Sequence, residues 1–345
     1  MKIGNRKVGP EEPCLMIAEI SCNHLQKKDY ALMLIEAAKG AGADAVKFQT
    51  YTPDTMTIDC DNDYFKIKGT VWDGMSLYQL YKEAYTPWDW FPELKDRAAQ
   101  EGLIFFSTPF DPTAVDFLEK MDVQLYKIAS FEVNDIPLIK RVARTGKPVI
   151  FSTGLATEED IQLAVDTIRG EGNEDIMIMK CTSAYPAPLS EMNLRTIPDI
   201  AERFGTLVGL SDHSMSETAA VAAYTLGASA VEKHFIIDRK EGGHDAKFSL
   251  EPEEFKRMVK SVREAEEALG EVRYAQTDKV KEHDFVRRSI FVVKDIVKGT
   301  ELTADNIRVI RPGYGMHPKH YEEVIGKKAK ADIKRGTPLG GELIE

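Results

Sequence analysis

Over the first 270 residues, apolar runs of strand length alternate with stretches whose apolar positions recur at helical spacing. The runs are Cys14–Ser21, Asp44–Thr50, Leu103–Thr108, Gln124–Ser130, Pro148–Thr153, Ile176–Thr182, Thr206–Ser211 and Ala228–His234. The spacing predicts helices between them at Asp29–Ala41, Trp88–Gln100, Pro112–Lys120, Ile136–Arg144, Glu158–Ile168, Ile197–Phe204 and Glu217–Leu226, with Pro252–Leu269 after the eighth run. Thr157-x-x-Asp160 reads as a capping box, and Asn134-Asp135 stands ahead of an apolar helix face. Eight fairly even βα units fit a closed (β/α)8 TIM barrel better than a doubly wound sheet, because eight is the number at which such a barrel closes.

Nearly every run ends in side chains capable of chemistry. The ends read Glu19 with Asn23 and His24, Lys47 with Gln49, Ser107 with Thr108, Lys127 with Ser130, Ser152 with Thr153, Thr182 with Ser183, Ser211 with Asp212 and His213, and Glu232 with His234. Barrel enzymes carry their reactive groups at the C-terminal ends of the strands. One such end has a bland reading, as a satisfied core residue. Eight on one rim point instead to an open active site, since buried polar groups cost free energy unless hydrogen-bonded.

The connection from about Tyr51 to Glu101 far exceeds an ordinary βα loop. Its aromatic stretch Tyr64–Trp72 reads as a lid or wall over the rim, against the alternative of a surface excursion packed on itself. After Leu269 the pattern changes. Residues 271–285 are charged and lack a clean period, as an inter-domain linker would. Within 286–345, Arg288–Val293, Ile296–Gly299, Ile307–Ile310 and Ala329–Ile333 read as short strands of a small β-rich module. At about 60 residues it is marginal alone and should dock on a barrel. The chain therefore divides into a barrel at 1–270, a linker and a C-terminal module at 286–345.

Composition narrows the function classes. With 345 residues, 43% hydrophobic and 29% charged, the chain has a globular profile that excludes collagen, disorder and coiled coil. A formal net charge of -11 repels polyanions, so neither nucleic acid nor an anionic membrane surface is an expected partner. An anionic substrate must then be held by a few local cations inside a pocket. No apolar leader opens the sequence and no run approaches the ~18 apolar residues of a membrane span, which predicts a soluble, cytoplasmic protein. The four cysteines form no CxxC pair and read as reduced thiols, with Cys14 and Cys181 as small core residues.

His213 and His234 end consecutive predicted strands, which lie ~4.8 Å apart in a barrel, so both imidazoles can reach one ion such as Mn, Fe, Co or Zn. Without an evident third ligand, water and substrate would complete an open shell. Lys47 and Lys127 each interrupt an apolar strand, and each is a Schiff-base nucleophile, an anion ligand or half of an ion pair. Ser130, Ser152 and Ser211 on neighbouring strand ends add donors that suit a phosphate or carboxylate. Glu19 and Glu132 follow the first and fourth strands, where either can serve as general base or hold a metal-bound water. Gly40-x-Gly42-x-x-Ala45 has the letters of a dinucleotide fingerprint but leaves a helix to enter a strand, the reverse of the required order. No Walker A sequence or Gly-x-Ser-x-Gly elbow occurs.

Taken together, Ile17–His24, Gly42–Thr50, Tyr126–Ser130, Phe151–Gly154, Gly209–Ser214 and Glu232–Phe235 resemble the sialic acid synthase family. The tail, with Lys294-Asp295-Ile296-x-Lys298-Gly299 and Arg311-Pro312-Gly313-x-Gly315, is similar to that family's C-terminal antifreeze-like (SAF) domain. Within the family, Tyr51–Asp54, Ile67-Lys68-Gly69-x-x-Trp72-Asp73, Leu77-Tyr78-x-Leu80-Tyr81 and Gly315–Lys319 resemble the branch that makes pseudaminic acid. Ser21-Cys22 before Asn23-His24, and Ser183 after Cys-Thr, depart from the N-acetylneuraminate branch.

The resemblance implies condensation of phosphoenolpyruvate with an amino-sugar aldehyde, here 2,4-diacetamido-2,4,6-trideoxy-L-altrose, giving pseudaminic acid and phosphate. Alternatives are an N-acetylneuraminate or legionaminate synthase using N-acetylmannosamine or a related sugar, or a metal-dependent or Schiff-base aldolase. By the same resemblance, Lys47, Thr108, Lys127, Ser130, Ser152 and Ser211 contact phosphoenolpyruvate, and His213 and His234 hold a divalent metal, Mn or Mg with Co as a further candidate. Glu132 deprotonates water or protonates the nascent alkoxide, while Glu19 holds a metal-bound water or that same nucleophile. Tyr185 and Asp245 contact the sugar, and Arg311 reaches it from the tail of a neighbouring subunit in a domain-swapped homodimer.

Overall fold

Eight parallel strands close on themselves in the computed structural model, which describes residues 1–69 and 72–345; Thr70 and Val71 of the aromatic stretch lie outside the described residues. The strands are β1 (Leu15–Glu19), β2 (Ala45–Thr50), β3 (Ile104–Pro109), β4 (Tyr126–Ile128), β5 (Val149–Ser152), β6 (Ile176–Cys181), β7 (Leu207–Asp212) and β8 (Ala230–His234). Each pairs with the next, and β8 pairs back on β1. Helices α1 (Lys28–Gly40), α2 (Phe91–Gln100), α3 (Pro112–Lys120), α4 (Ile136–Ala143), α5 (Glu158–Gly170), α6 (Thr196–Phe204), α7 (Thr218–Thr225) and α8 (Pro252–Leu269) follow the strands in turn. The (β/α)8 barrel read from the sequence is borne out. The expected helix from Trp88 begins instead as a 3-10 turn at Trp88–Trp90, with α2 starting at Phe91 so that Pro92, which has no N–H to donate, falls in its first turn.

The alternation of side chains along each strand builds two concentric layers. Outward residues such as Met16, Val46, Phe48 and Tyr126 pack beneath the helices, among them Leu34 and Ile35 of α1. Truncating a fully buried leucine such as Leu34 to alanine removes about 2–5 kcal/mol of stability. Inward residues Leu15, Ile17, Ala45, Phe106, Leu125, Ile150, Met177, Met179 and Ala230 fill the lower barrel with Ile3 of the short Lys2–Ile3/Arg6–Lys7 hairpin and Val8 just after it. Gly209 leaves the space this filling needs: a Cβ there would lie 2.9 Å from the Ala230 carbonyl and 3.0 Å from Met179 Cε. The next inward positions are Glu19, Lys47, Lys127, Ser152, Ser211 and Glu232, so the barrel interior changes from apolar to polar toward the strand C-termini.

The chain divides into two compact units, Met1–Gly270 and Glu271–Glu345. In the second, β9 (Ser289–Val292) pairs antiparallel with β10 (Ile307–Ile310) over a core that includes Ile290, Val292, Ile296, Leu302, Ile307 and Leu339. The expected strands at Ile296–Gly299 and Ala329–Ile333 are single bridges instead, Ile296 to Ile333 and Ala329 to Ile344. Turns with left-handed Gly299 (φ 81°) and Gly336 (φ 88°) interrupt the backbone before a ladder can extend. The segment after Gly270 contains a one-turn helix, Asp278–Lys281, capped by the Thr277 hydroxyl. The cysteines are free thiols. Among the described residues no helix is long and apolar enough to cross a membrane.

Candidate active site

The polar upper layer opens into a cavity at the strand C-termini. Strand register places its charges: His234 lies opposite Glu19, Glu19 opposite Lys47, and Glu232 opposite Ser211. Lys47 Nζ is 2.8 Å from Glu232 Oε1 and 3.6 Å from Glu19 Oε2, while Lys127 Nζ is 3.2 Å from the same Glu232 oxygen. The side chains of Lys47, Lys127 and Glu232 are only 4%, 2% and 6% exposed. Ser211 donates to that oxygen at 3.5 Å, and Gln49 donates to Glu19 Oε1 at 2.9 Å.

Burial would raise the Glu232 carboxyl, but Lys127 and Lys47 hold it well below the usual carboxylate range. Burial raises Glu19 against the pull of Lys47, with Glu232 adding to the rise. Glu132, in the turn after β4, is pushed up to about 7 by burial and by nearby Asp135. The cavity thus contains two lysines, one firmly ionised carboxylate, Glu232, and three carboxyls, Glu19, Glu132 and Asp245, that burial inclines to keep a proton. Lys47 is raised by Glu19 and Glu232 against its burial, whereas burial lowers Lys127.

Several buried polar atoms around the cavity have no hydrogen-bond partner: Glu19 Oε2, Glu132 Oε2, Glu232 Oε2, Ser152 Oγ and His234 Nδ1. Such atoms are costly where nothing binds them, so their concentration in one place marks a ligand site. Ser130 and Ser183 hydroxyls meet at 2.8 Å beside Gly154, where a Cβ would lie 2.0 Å from Ser183 Oγ. The absent side chain keeps that corner open.

The His213 and His234 rings stand with centroids 5.4 Å apart and planes at 56°. His213 Nδ1 lies 3.0 Å from the Thr182 carbonyl, an acceptor only, so Nδ1 carries the proton and the Nε2 lone pair is free to coordinate. Burial holds His234 in its neutral form, and its Nδ1 lies 3.6 Å from Asp245 Oδ2. Asp245 is anchored by the Ser21 hydroxyl at 2.6 Å. Among the described residues no group of three or more His, Cys, Asp or Glu is arranged to hold a metal ion. These two imidazoles nevertheless suit a divalent ion whose remaining ligands are oxygens from water or substrate.

The cavity collects most of the expected residues: Glu19, Lys47, Lys127, Ser130, Glu132, Ser152, Tyr185, Ser211, His213, His234 and Asp245 all line it. Thr108 is buried at the end of β3 with an unpartnered hydroxyl but is not among the lining residues. Arg311 is exposed on the second unit. Four polar strand ends turn out to be braces. Asn23 donates to the Phe235 carbonyl and to Ser249, and His24 bonds Thr86 at 3.0 Å, because the turn after β1 curls through Ser21, Leu25 and Gln26 at positive φ. Ser107 has outward parity and donates to the Phe48 carbonyl; Thr153 accepts the Cys181 N–H.

Sequence reasoning did not assign Glu232, although its i, i+2 relation to His234 places it inward. It also did not identify the apolar wall formed by Met56, Leu80, Phe110 and Phe248. In the long connection, Tyr64 is exposed, whereas Trp72 lines the cavity, donates to the His244 carbonyl at 3.2 Å and stands 5.9 Å from the Tyr185 ring. The connection therefore supplies a wall of the site.

A parallel barrel that gathers paired lysines, carboxyls and two imidazoles at its strand C-termini has the architecture of a TIM-barrel enzyme. A family model described as the NeuB family matches residues 34–274, and a SAF domain model matches 287–345. The chain is 45% identical to pseudaminic acid synthase of Campylobacter jejuni over 98% of each chain, and 43% identical to pseudaminic acid synthase of Helicobacter pylori over 97% of this chain and 98% of that one. Among solved structures, spore coat polysaccharide biosynthesis protein SpsE of Bacillus subtilis superposes with a TM-score of 0.69 at 38% identity, covering 98% of this chain and 97% of that one. The chain belongs to the NeuB family, which bears out the resemblance to sialic acid synthases.

Proposed function

We propose that the chain condenses phosphoenolpyruvate with 2,4-diacetamido-2,4,6-trideoxy-L-altrose to give pseudaminic acid and phosphate. The observation that carries this reading is the buried Lys47–Glu232–Lys127 array in one cavity with His213 and His234, in a chain matched along nearly its whole length by pseudaminic acid synthases. Lys47 and Lys127 neutralise the phosphate and carboxylate of phosphoenolpyruvate, and Ser130, Ser152, Ser211 and Thr108 supply hydroxyls around them. Tyr185 and Asp245 orient the sugar so that its aldehyde carbon faces C3 of phosphoenolpyruvate.

The C3 electron pair forms the new carbon–carbon bond, the aldehyde oxygen takes up a proton, and C2 becomes electron-poor. Water adds to C2 and loses a proton; the C2–O bond to phosphate then breaks as the new hydroxyl's remaining proton passes to the departing phosphate, leaving the ketone and free phosphate. Glu132, poised near neutral pH, gives the proton to the forming alkoxide or takes one from the attacking water, with Glu19 placed to hold that water. A divalent ion on His213 and His234, Mn or Mg with Co as a further candidate, would polarise the aldehyde oxygen as a Lewis acid. In the arrangement proposed, the second unit covers the rim of a neighbouring copy in a homodimer, with Arg311 directed at the sugar.

The test is phosphate release from phosphoenolpyruvate with the trideoxy-altrose sugar and with N-acetylmannosamine in parallel, with and without a chelator. Release that depends on the trideoxy sugar, stops in chelator and returns with Mn is expected. Equal or faster turnover of N-acetylmannosamine would overturn the substrate, and undiminished activity in metal-stripped enzyme would overturn the metal.

A further inference from the structure

Between the two histidines the barrel wall carries an ion pair that none of this chemistry uses. Lys233 and Asp212 are register partners on β8 and β7, and each immediately precedes one of the cavity histidines. Strand alternation turns Glu232 and His234 into the barrel and Lys233 to its outer side. There Lys233 Nζ lies 2.5 Å from Asp212 Oδ2, with both side chains 0% exposed. The same ammonium reaches beyond His213, donating to the Ser216 carbonyl at 3.2 Å and to the Ser214 hydroxyl at 3.4 Å. Asp212 Oδ1 accepts the Ser214 N–H at 2.7 Å, and Ser214 Oγ accepts the Ser216 N–H at 3.3 Å.

His213 is thereby bracketed. The residue before it and the turn after it are both tied to one lysine, and that lysine is the chain neighbour of His234. A fully desolvated ion pair contributes little net stability compared with apolar side chains of the same volume, so stability does not account for it. What the pair does set is the relation between two backbone segments, each carrying an imidazole, and hence the ring separation of 5.4 Å. Groups behind a ligand that fix its orientation govern metal affinity without touching the metal.

We infer that Lys233 and Asp212 are positioning residues that clip β8 to the turn after β7 and so hold His213 and His234 at the spacing a divalent ion requires; the inference rests on the metal reading above. Removing one partner alone strands a buried charge, so the informative change is the neutral pair Asp212→Asn with Lys233→Met, in which Asn Oδ1 can still accept the Ser214 N–H. Mn(II) binding is followed by the paramagnetic resonance signal of the free ion, with thermal melting and steady-state kinetics on the same samples.

The double variant is expected to melt cooperatively and to bind Mn(II) about 10–100-fold more weakly than the parent. Its kcat at fixed Mn(II) falls while KM for phosphoenolpyruvate stays within about twofold. Asp44→Asn is the control, because it damages a network at the opposite end of the barrel, where Asp44 accepts from Arg6, Arg263 and the Met16 N–H. It should lower the melting temperature and leave Mn(II) affinity unchanged. Should the double variant not fold, Ser214→Ala reads the same link with the charges intact and should weaken binding about threefold. Parent-like Mn(II) affinity in a folded double variant, or in Ser214→Ala when only that one folds, overturns the clip. A parent enzyme that itself fails to bind Mn(II) overturns the metal reading and the clip with it, a result set apart from the first because it appears before any substitution is made.

Discussion

Glu232 shows how much chemistry one carboxylate oxygen can organise: both buried ammonium groups and the Ser211 hydroxyl converge on its Oε1. Glu232→Gln would leave two like charges facing each other with Glu19 as the remaining carboxylate near Lys47. Breaking a buried pair by removing one partner costs about 3–5 kcal/mol, and a lower urea midpoint is the expected readout. Because the variant lacks its internal anion, millimolar phosphate should stabilise it more than it stabilises the parent; an equal effect on both would show that the lysines do not form the anion site. Glu132 behaves in the opposite sense. Its carboxyl is raised from 4.5 to about 7, so between those values the native state binds more protons than the unfolded state and stability falls as pH rises. Glu132→Gln removes that loss, and denaturant melts should show the variant gaining up to roughly 3 kcal/mol on the parent at pH 8 but little at pH 4. The same variant should lose about 10²-fold or more in kcat. The lysines, histidines and most hydroxyls of the site were legible because a polar residue ending an apolar strand is conspicuous. The pairing of Lys47 with Lys127 through Glu232 was not, since it depends on cross-barrel distances that no local pattern encodes.

At the scale of elements, the eight strands and the helices between them lie close to where the apolar periods put them, because inward parity and helix faces are both enforced by burial. The tail was less legible. Ile296–Gly299 and Ala329–Ile333 have strand-like letters, yet each is joined by a bridge of one residue pair, the flanking glycine turns leaving no length for a ladder. The long connection after β2 was legible only as an excess of length. What the structure adds is that Met56, Trp72, Leu80, Tyr81 and Ala84 from this connection form a mostly apolar wall, whereas the lysine floor comes from the strands. Under the proposed function, that segregation would seat phosphoenolpyruvate on the lysines and the sugar against the wall. Trp72→Ala should therefore raise KM for the sugar by roughly tenfold, the scale of one well-packed apolar contact, with KM for phosphoenolpyruvate within about twofold. Trp72→Phe, which keeps a ring against Tyr185 but loses the bond to the His244 carbonyl, should fall between. Equal losses for both substrates would mean that the wall supports the whole rim rather than selecting the sugar.

For the whole molecule, the acidic surface cannot concentrate an anionic substrate by long-range attraction, so capture rests on the cavity and on whatever closes it. A barrel rim that handles an electron-poor intermediate needs cover against stray water, and a SAF unit whose β core rests on a few residues such as Ile290, Leu302 and Leu339 gains from a larger surface to dock on. Docking on a second copy meets both needs. The segment from Gly270 to Asp284 spans at most about 40 Å once the Asp278–Lys281 turn is allowed for, enough to reach a neighbour's barrel and also enough to fold back on its own. Reach alone does not choose between these, so the choice is made by complementation. An Arg311→Ala chain and a His213→Ala chain, each inactive, are mixed under conditions of subunit exchange. If the second unit serves the neighbouring barrel, every mixed dimer holds one site that is intact at both positions, because the Arg311→Ala chain contributes a sound barrel and its partner a sound tail. Random exchange makes half the dimers mixed with one of two sites restored, so activity should return to about one quarter of the parent's. If the unit serves its own barrel, every site keeps one lesion, and a mixture that stays inactive after exchange is verified by mass rules out service in trans.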